Sequence, residues 1–342
     1  MPAGAKKPRP PLYPLAVFLV ALLLATAITV LAVDTQPALR AAAAAVAQGE
    51  RPPDDDHYLA NDVGGQVDHH VLWFDIDPVV ARRLREADVL FVGHSRLMFA
   101  LRPDVLRPFF ARHGVSYYAM GFGFREHDRF PLQLIRRLDL RPRLVVANAD
   151  GFFTGGLSPW AEQVNRDTAF AARKLRWEAE AAHRVRGVVQ HVLPNWFQML
   201  GLPGLGVRRA FVSYRSRFDG TWQISPWPEG TQGFKDGDYE GAPLSRGEIL
   251  AARTFKSELD ARGARLVLTR VPSPEPMPGA GPARFAELLA VPLVLADVPG
   301  PTTYDNSHLS EGSAHDWSAA LVGTLEPLVA ELAARPRPPA TP

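Results

Sequence analysis

The sequence of 342 residues contains no cysteine. Disulfide bonds, thiolate metal sites, a lipidated N-terminal cysteine and cysteine nucleophiles are therefore excluded. The chain also lacks a strong excess of either charge, because 38 basic and 36 acidic residues leave a formal net charge of +2. These charges are spread evenly, so no nucleic-acid partner is expected. Hydrophobic residues make up 46% of the chain, which is enough for a sizeable core.

Long apolar runs are scarce, and the clearest one lies near the N-terminus. Residues 15–33 are almost uninterrupted in apolar character and follow a basic stretch at 6–9. As a helix they would span close to the roughly 30 Å hydrocarbon core of a bilayer. We expect a single-pass signal anchor in the cell membrane, with the basic end in the cytoplasm and the remaining chain extracytoplasmic. Cleavage as a signal peptide after the Ala-Thr-Ala at 25–27 is the alternative.

Short apolar runs alternate with stretches of helical periodicity along most of the chain. The runs do not alternate polar with apolar residues, which is typical of strands covered on both faces in a parallel sheet. The pattern predicts an α/β protein with a three-layer, doubly wound, mostly parallel sheet. The predicted strands are 89–92, 115–120, 144–147, 265–269 and 292–296, and helical periodicity is clearest at 130–138, 246–261, 283–289 and 313–334.

An insertion interrupts this alternation between residues 154 and 241. One or two long helices are predicted over 160–200, followed by a Gly-, Pro- and Trp-rich loop segment over 202–241 that would form a cap. Five of the seven tryptophans lie in the insertion, where they could stack against sugars or form its own small core. The predicted organisation is a cytoplasmic basic tail (1–14), the anchor (15–33), a helix and linker (34–86), the α/β domain (87–335) and a disordered tail (336–342).

Chemically reactive side chains are found where predicted strands end. Residues 93–96 (Gly-His-Ser-Arg), 121–123 (Gly-Phe-Gly) and 148–151 (Asn-Ala-Asp-Gly) follow the first three strands. Residues 304–310 (Tyr-Asp-Asn-Ser-His-Leu-Ser) precede the last predicted helix. Ligands of open α/β sheets bind beyond the carboxyl ends of the strands, so we expect one crevice to gather these segments.

Together these residue types are the set that a serine nucleophile requires. Ser95 would attack, His308 would act as general base and then as general acid, and Asp305 would orient His308. The backbone amides of Ser95 and Gly123, or of Gly121, would bind the oxyanion. Taken alone, Ser95 is better explained as the N-cap of the following helix, and the distant Asp305 and His308 are what favour a nucleophile.

The same four segments resemble the sequence blocks of the SGNH, or GDSL-like, hydrolases. The resemblance covers roughly residues 87–335, with the insertion outside the pattern. Its most specific element is the Asp-x-x-His-Leu at 305–309, which is followed by a glycine and a helix. The resemblance implies ester chemistry, an SGNH-hydrolase or flavodoxin-like fold, and neither a cofactor nor a metal.

Two blocks depart from the family pattern. His94 stands beside the serine where the family usually has Asp. In the third block Ala149 occupies the position of the oxyanion-hole Asn, so Asn148 could donate only if the loop is shifted, and Asp150 is the other possible occupant. The loss of one such donor typically lowers the rate about 100- to 1000-fold.

Some further side chains are candidates for other roles. Arg96 and Arg125 could bind an anionic substrate such as a uronate or a phosphate, although arginine at an exposed helix start is commonly only solvated. A metal site at residues 69 and 70, two adjacent histidines, is not expected, because neighbours on a strand point to opposite faces. The candidates for substrate binding are Arg96, His94, Asp150 and Arg125.

The leading interpretation is a membrane-anchored, extracytoplasmic serine esterase or O-acyltransferase. Its substrate would be the acyl groups, foremost acetyl, of a cell-envelope polysaccharide. Similar anchored SGNH-like proteins work beside membrane-bound O-acyltransferases, so such an enzyme is an expected partner. The alternative is a catalytically silent SGNH-fold protein that binds polysaccharide or serves as an export scaffold, which the imperfect third block favours. A true α/β-hydrolase is disfavoured, because residues 93–97 lack the second glycine of a nucleophile elbow.

Overall fold

The computed structural model describes residues 56–62, 65–123, 126–181, 212–225, 227–228, 231–237, 242–275, 279 and 281–335. All of them belong to one compact unit, formed by residues 52–183 and 209–342. The predicted anchor at 15–33 and the predicted tail at 336–342 lie outside the described ranges. Within those ranges, no helix combines the length and the apolar character that crossing a bilayer requires.

A parallel sheet of five strands is the centre of the described structure. Its order is β10-β9-β5-β3-β4, and every neighbouring pair is parallel. Numbered along the chain, this is the 2-1-3-4-5 order of flavodoxin-like folds. The prediction of an α/β protein with a parallel sheet is therefore confirmed, with strand ends shifted by one or two residues. The strands are β3 (Val89–Gly93), β4 (Tyr117–Gly121), β5 (Leu144–Asn148), β9 (Arg265–Arg270) and β10 (Leu293–Leu295).

Helices cover this sheet, and two of those that were predicted from periodicity begin with a side-chain N-cap. Helix α7 begins with a capping box, in which the Ser245 hydroxyl accepts from the Glu248 N–H while the Glu248 carboxylate accepts from the Ser245 N–H. Helix α9 begins after Ser310, whose hydroxyl accepts from the Ser313 N–H. The helices with both ends described are α1 (Asp68–Trp73), α2 (Pro78–Glu86), α3 (Ser95–Ala100), α4 (Pro103–His113), α5 (Arg129–Arg137), α6 (Pro159–Arg166), α7 (Arg246–Ala261), α8 (Pro282–Leu289) and α9 (Glu311–Ala334), and residues 169–181 are helical as well.

Burial on both faces explains why the strands read as continuous apolar runs. In β3, Leu90 and Val92 belong to the core on one face, whereas Val89 and Phe91 belong to the core on the other. All four side chains are fully buried. Successive residues of a strand point to opposite faces, so both faces require apolar side chains. Layers on the two sides of one sheet follow from this pattern.

A second, antiparallel sheet was not predicted. It has the order β2-β1-β6-β7, and β1 pairs with β6 across a large separation in sequence. Strands β1 and β2 lie in the segment 34–86 that was predicted as helix and linker, and β6 and β7 lie in the described part of the segment 202–241 that was predicted as a loop-built cap. The structure corrects both predictions at these strands. The sequence signal was weak because β6 (Val-Ser-Tyr-Arg-Ser) buries polar side chains instead of an apolar run. The strands are β1 (His57–Asp62), β2 (Gly65–Gln66), β6 (Val212–Ser216) and β7 (Trp222–Ser225).

Strand order also places the candidate site. Along the chain, β3 and β5 are the first and third strands of the parallel sheet, and in the sheet they are neighbours. The direction of winding therefore reverses between them. A crevice opens at the carboxyl ends of the strands at such a point. Residues 93–96 and 148–151 lie there, at the ends of β3 and β5, and residues 121–123 lie at the end of the adjacent β4. A short pair, β8 (Gln232–Gly233) and β11 (Thr302–Thr303), leads into residues 304–310.

Candidate active site

Ser95 lies at the start of α3, directly beyond the end of β3. The N-cap of α3 is His94, whose Nδ1 accepts a hydrogen bond from the Arg96 N–H over 3.3 Å. Ser95 is therefore not the N-cap of α3, although the sequence around Ser95 taken alone favoured that role. Its hydroxyl is left for another partner, and the residue is 8% exposed, at the edge of the protein interior.

The hydroxyl of Ser95 meets the distant His308. Ser95 Oγ and His308 Nε2 are 2.8 Å apart, and His308 Nδ1 lies 2.8 Å from Asp305 Oδ2. An ionised carboxylate can only accept, so Nδ1 carries the proton and the Nε2 lone pair of the neutral ring faces Ser95. The structure thus brings together Ser95, His308 and Asp305 in the order that activates a serine.

The loop carrying Asp305 and His308 is shaped by the same carboxylate. The backbone N–H groups of Ser307 and His308 donate to Asp305 Oδ1 over 3.0 and 2.8 Å. Asn306 has the left-handed φ of 63° that this tight turn requires. Partial burial alone would raise the pKa of Asp305, but the hydrogen bonds that it accepts from the His308 side chain and from the backbone of His308 and Ser307 hold this pKa below the ordinary value. Asp305 is therefore ionised at neutral pH.

Aromatic rings pack against the imidazole of His308. The ring centroids of Phe99 and Tyr304 lie 4.5 and 5.7 Å from that of His308, and the Tyr304 ring is nearly parallel to it at 14°. The ring centroids of Trp222 and Trp227 both lie 6.0 Å from that of Phe99. Trp222 is 3% exposed, so this tryptophan of the insertion belongs to the main core instead of a separate one.

Three of the predicted substrate-binding residues bind one another. The Arg96 guanidinium pairs with the Asp150 carboxylate, and these residues are only 5% and 2% exposed. His94 Nε2 donates to the Asp150 carbonyl over 2.8 Å. Burial lowers the pKa of His94 to about 4, against the opposing effect of Asp150, so its ring is neutral at pH 7. Arg96 is thus buried where a solvated helix start was expected, while Arg125 lies outside the described residues.

The predicted oxyanion donors differ in their surroundings. Gly123 is buried two residues beyond β4. Gly121 is needed for packing, because a Cβ there would lie 2.5 Å from the Met98 sulfur. Asn148 is fully buried, and its Oδ1 accepts from the Val271 N–H over 3.2 Å while its Nδ2 lies 3.4 Å from His94 Nε2. The Asn148 amide therefore contacts interior neighbours, and the structure does not bring it to Ser95.

A buried ion pair lies against the end of β4 and was not predicted from the sequence. Arg215, with no exposed surface, donates to Asp68 Oδ2 over 3.1 and 2.9 Å. The same guanidinium donates to the carbonyls of Ala119, over 2.7 Å, and Gly121. It thereby ties the antiparallel sheet to the end of β4. An isolated arginine and an isolated aspartate, with no shared motif, give no sequence signal for such a pair.

His69 and His70 lie on helix α1, where a strand was assumed. His69 Nε2 is 2.6 Å from Glu126 Oε2, and His70 Nε2 is 2.8 Å from Asp167 Oδ2. Each imidazole thus has its own carboxylate. Across the residues that the structure describes, no group of three or more metal-ligating His, Asp or Glu side chains converges.

Comparisons with known proteins add little to this geometry. No protein-family model and no curated protein sequence matches the chain. Among solved structures, the chain is similar to a Bacteroides fragilis protein provisionally described as an acylhydrolase, with 13% sequence identity and a TM-score of 0.34. The alignment covers 76% of this chain and 97% of that chain. A likeness this distant carries no argument, so the functional conclusion depends on the arrangement of side chains.

Proposed function

We propose that the protein is a serine-dependent esterase or O-acyltransferase of the SGNH-like type. The observation that carries the proposal is the hydrogen-bonded series Ser95, His308 and Asp305, with 2.8 Å at each step. These residues come from the two ends of the α/β unit, and a purely structural role for each would not require this order of acceptor and donor. A lone pair directed at a serine hydroxyl is the arrangement that general-base catalysis needs.

The reaction would proceed in two steps. Ser95 Oγ attacks the carbonyl carbon of an ester while His308 Nε2 takes the hydroxyl proton, and this proton passes to the departing alkoxide as the acyl–enzyme forms. Water, or the hydroxyl of an acceptor, then attacks the acyl–enzyme, with His308 taking the new proton and returning it to Ser95. Asp305 stays ionised throughout and balances the imidazolium charge.

Backbone amides are the proposed oxyanion donors. The Ser95 N–H lies at the start of α3, and the Gly123 N–H lies in the neighbouring loop at the same end of the sheet. Because Asn148 contacts Val271 and His94, it is not included among these donors. A hole that has amides alone, without a side-chain donor, is consistent with a slow or specialised enzyme.

Location and substrate are part of the same proposal. The apolar run at 15–33 supports a single-pass anchor in the cell membrane with the catalytic unit outside the cytoplasm. The partly buried Trp227 supports a carbohydrate substrate, since sugars stack on aromatic faces: its ring lies 6.0 Å from that of Phe99, which packs against the His308 ring. We therefore propose acyl groups, foremost acetyl, of a cell-envelope polysaccharide as the substrate and a membrane-bound O-acyltransferase as a partner.

One observation favours a second candidate function. The side-chain amide of Asn148 is turned into the interior, which removes the donor that the SGNH pattern would supply. A catalytically silent protein that binds polysaccharide or organises its export would tolerate this loss. The intact hydrogen bonds of Ser95 and His308 favour the enzyme over this scaffold.

The two candidates differ in reactivity toward an active-site probe. Full-length protein in detergent is treated with a fluorophosphonate, and the modified peptide is identified by mass spectrometry. Hydrolysis of p-nitrophenyl acetate is measured in parallel. The enzyme predicts labelling of Ser95 and loss of both signals in Ser95→Ala. The control is Ser116→Ala, which removes a hydroxyl that binds Asp88 and Glu86 at the opposite end of the sheet.

An unlabelled wild-type protein with no esterase activity would favour the scaffold, provided that Ser95→Ala also leaves polysaccharide acylation in cells unchanged. Labelling of any serine other than Ser95 would contradict the proposed nucleophile.

A further inference from the structure

The guanidinium of Arg96 holds several loops of the crevice at once. Its Nη1 pairs with the Asp150 carboxylate in the loop after β5, and its Nη2 donates to the Glu275 carbonyl, after β9, over 2.7 Å. Its Nε donates to the Ser307 hydroxyl over 3.1 Å. Arg96 itself follows Ser95 in helix α3, so one side chain connects the nucleophile's helix to three other segments.

Of these contacts, the hydrogen bond to Ser307 matters most for the loop that carries His308. Ser307 lies between Asp305 and His308 in the turn that Asp305 Oδ1 organises, and its own N–H is part of that turn. A hydrogen bond to the Ser307 hydroxyl therefore acts on the loop that carries the base. Because the donor is the neighbour of Ser95, this bond links the base loop directly to the nucleophile's helix.

The loop's other hydrogen bonds have a different effect. The Tyr304 N–H donates to the His308 carbonyl, and the Ser310 N–H donates to the Thr302 carbonyl. These bonds join the loop to itself and to β11, so they fix its shape without tying it to α3. The Asp305 side chain is 38% exposed, which places this loop at the protein surface. The loop is tied to α3 by the His308–Ser95 hydrogen bond and by the packing of Phe99 against the Tyr304 and His308 rings. The Arg96–Ser307 hydrogen bond adds a further, directional constraint.

We infer that Arg96 is a positioning residue, which sets the distance from His308 Nε2 to Ser95 Oγ in the proposed reaction. This inference rests on the proposed function. Three acceptors in different directions match the planar fork of arginine, and a lysine ammonium at the end of its flexible stem cannot reach all of them in the same way. The paired Asp150 compensates the buried charge, so the guanidinium is held in place without needing solvent.

The test compares Ser307→Ala, which removes one acceptor, with Ser307→Thr, which keeps a hydroxyl, and with Arg96→Lys. For Ser307→Ala, kcat on p-nitrophenyl acetate is expected to fall about 10-fold with KM within about twofold, because misplaced groups lose rate before they lose binding. Ser307→Thr should restore most of this loss. Arg96→Lys should lower kcat about 100-fold. The matched control, Ser116→Ala, should keep the wild-type kcat.

Hydrogen–deuterium exchange supplies a readout that does not depend on activity. In Ser307→Ala and Arg96→Lys, amides of residues 303–309 should exchange faster, while peptides from β3 and β5 remain as protected as in the wild type. If Arg96→Lys does not fold, Ser307→Ala and Ser307→Thr still test the positioning role.

An active wild type whose Ser307→Ala keeps full kcat and unchanged exchange would refute the positioning role and leave the esterase proposal intact. An inactive, unlabelled wild type whose Ser95→Ala variant leaves polysaccharide acylation in cells unchanged would refute the proposed function, and with it the positioning role in catalysis. The exchange data would then still show whether Arg96 fixes the loop. If activity falls together with protection from hydrogen–deuterium exchange throughout the protein, Arg96 stabilises the fold and is not a positioning residue.

Discussion

Replacing Asp305 by asparagine keeps the size of the side chain, removes its negative charge and puts an NH₂ donor in place of one carboxylate oxygen. In the structure, two backbone N–H groups, from Ser307 and His308, donate to Oδ1. The amide oxygen of an asparagine must face these two donors, because the amide NH₂ would oppose them. The NH₂ group is thus forced toward His308 Nδ1, where the carboxylate now accepts.

This orientation predicts the size of the defect. An NH₂ donor facing Nδ1 moves the imidazole proton to Nε2, so that the ring donates to Ser95 Oγ and no longer takes its proton. A wrong tautomer with intact geometry lowers kcat about 10⁴-fold in a Ser-His-Asp enzyme, which corresponds to about 5 kcal/mol of transition-state stabilisation. Because both backbone bonds persist, the melting temperature of Asp305→Asn should remain within a few degrees of the wild type.

The assay is kcat and kcat/KM on p-nitrophenyl acetate for wild type, Asp305→Asn and Asp305→Ala. The rate of fluorophosphonate labelling of Ser95 is an independent check, since it depends on the same general base. The alanine variant loses the two backbone bonds as well, so it should also be less stable than the asparagine variant. If Asp305→Asn keeps more than about one tenth of the wild-type kcat, His308 does not act as the base in the tautomer described.

Further predictions concern packing and charge. Arg215→Met leaves the Asp68 carboxylate buried without its cation, so the free energy of unfolding should fall by about 3 to 5 kcal/mol in urea titration, and a cost under 1 kcal/mol would contradict the buried pair. Gly121→Ala forces Met98 to move, which should cost about 1 to 3 kcal/mol by the same titration and less in combination with Met98→Ala. The pKa of His94 is about 4, below its value in the unfolded chain, so the unfolded state binds the extra proton first. Stability is therefore complete above about pH 6.5 and should decrease by about 3 kcal/mol as the pH falls to about 4, whereas His94→Gln should remove this part of the dependence.

The parallel sheet could be predicted because its signal is local. Strands such as β3 are buried on both faces, so each residue is apolar whatever its direction, and the run ends where the chain leaves the sheet at Gly93. The candidate site could be predicted on the same ground, since residues beyond parallel strands gather at one edge of the sheet. The pairing of Ser95 with His308 followed from this placement and from the resemblance in sequence.

What could not be predicted depends on contacts between distant polar residues. Strand β6 buries Ser213, Arg215 and Ser216, and these residues read as a surface loop until Asp68 is brought beside them. Arg96 likewise reads as a solvated residue until the Asp150 carboxylate is seen to compensate it. The desolvation of such groups is offset only by partners that the tertiary structure supplies, so no periodicity or spacing reveals them.

The antiparallel sheet also has a consequence for how the chain is made. Asp68 and Arg215 are 147 residues apart, and at a ribosome's pace of 5–20 residues per second the arginine follows the aspartate by about 7 to 30 s. During this interval Asp68 has no cation, and β1 cannot pair with β6. The nascent chain would therefore hold its N-terminal strand open until residues 212–216 emerge. A truncated protein that starts at residue 87 would never close this sheet, because it would lack both β1 and Asp68.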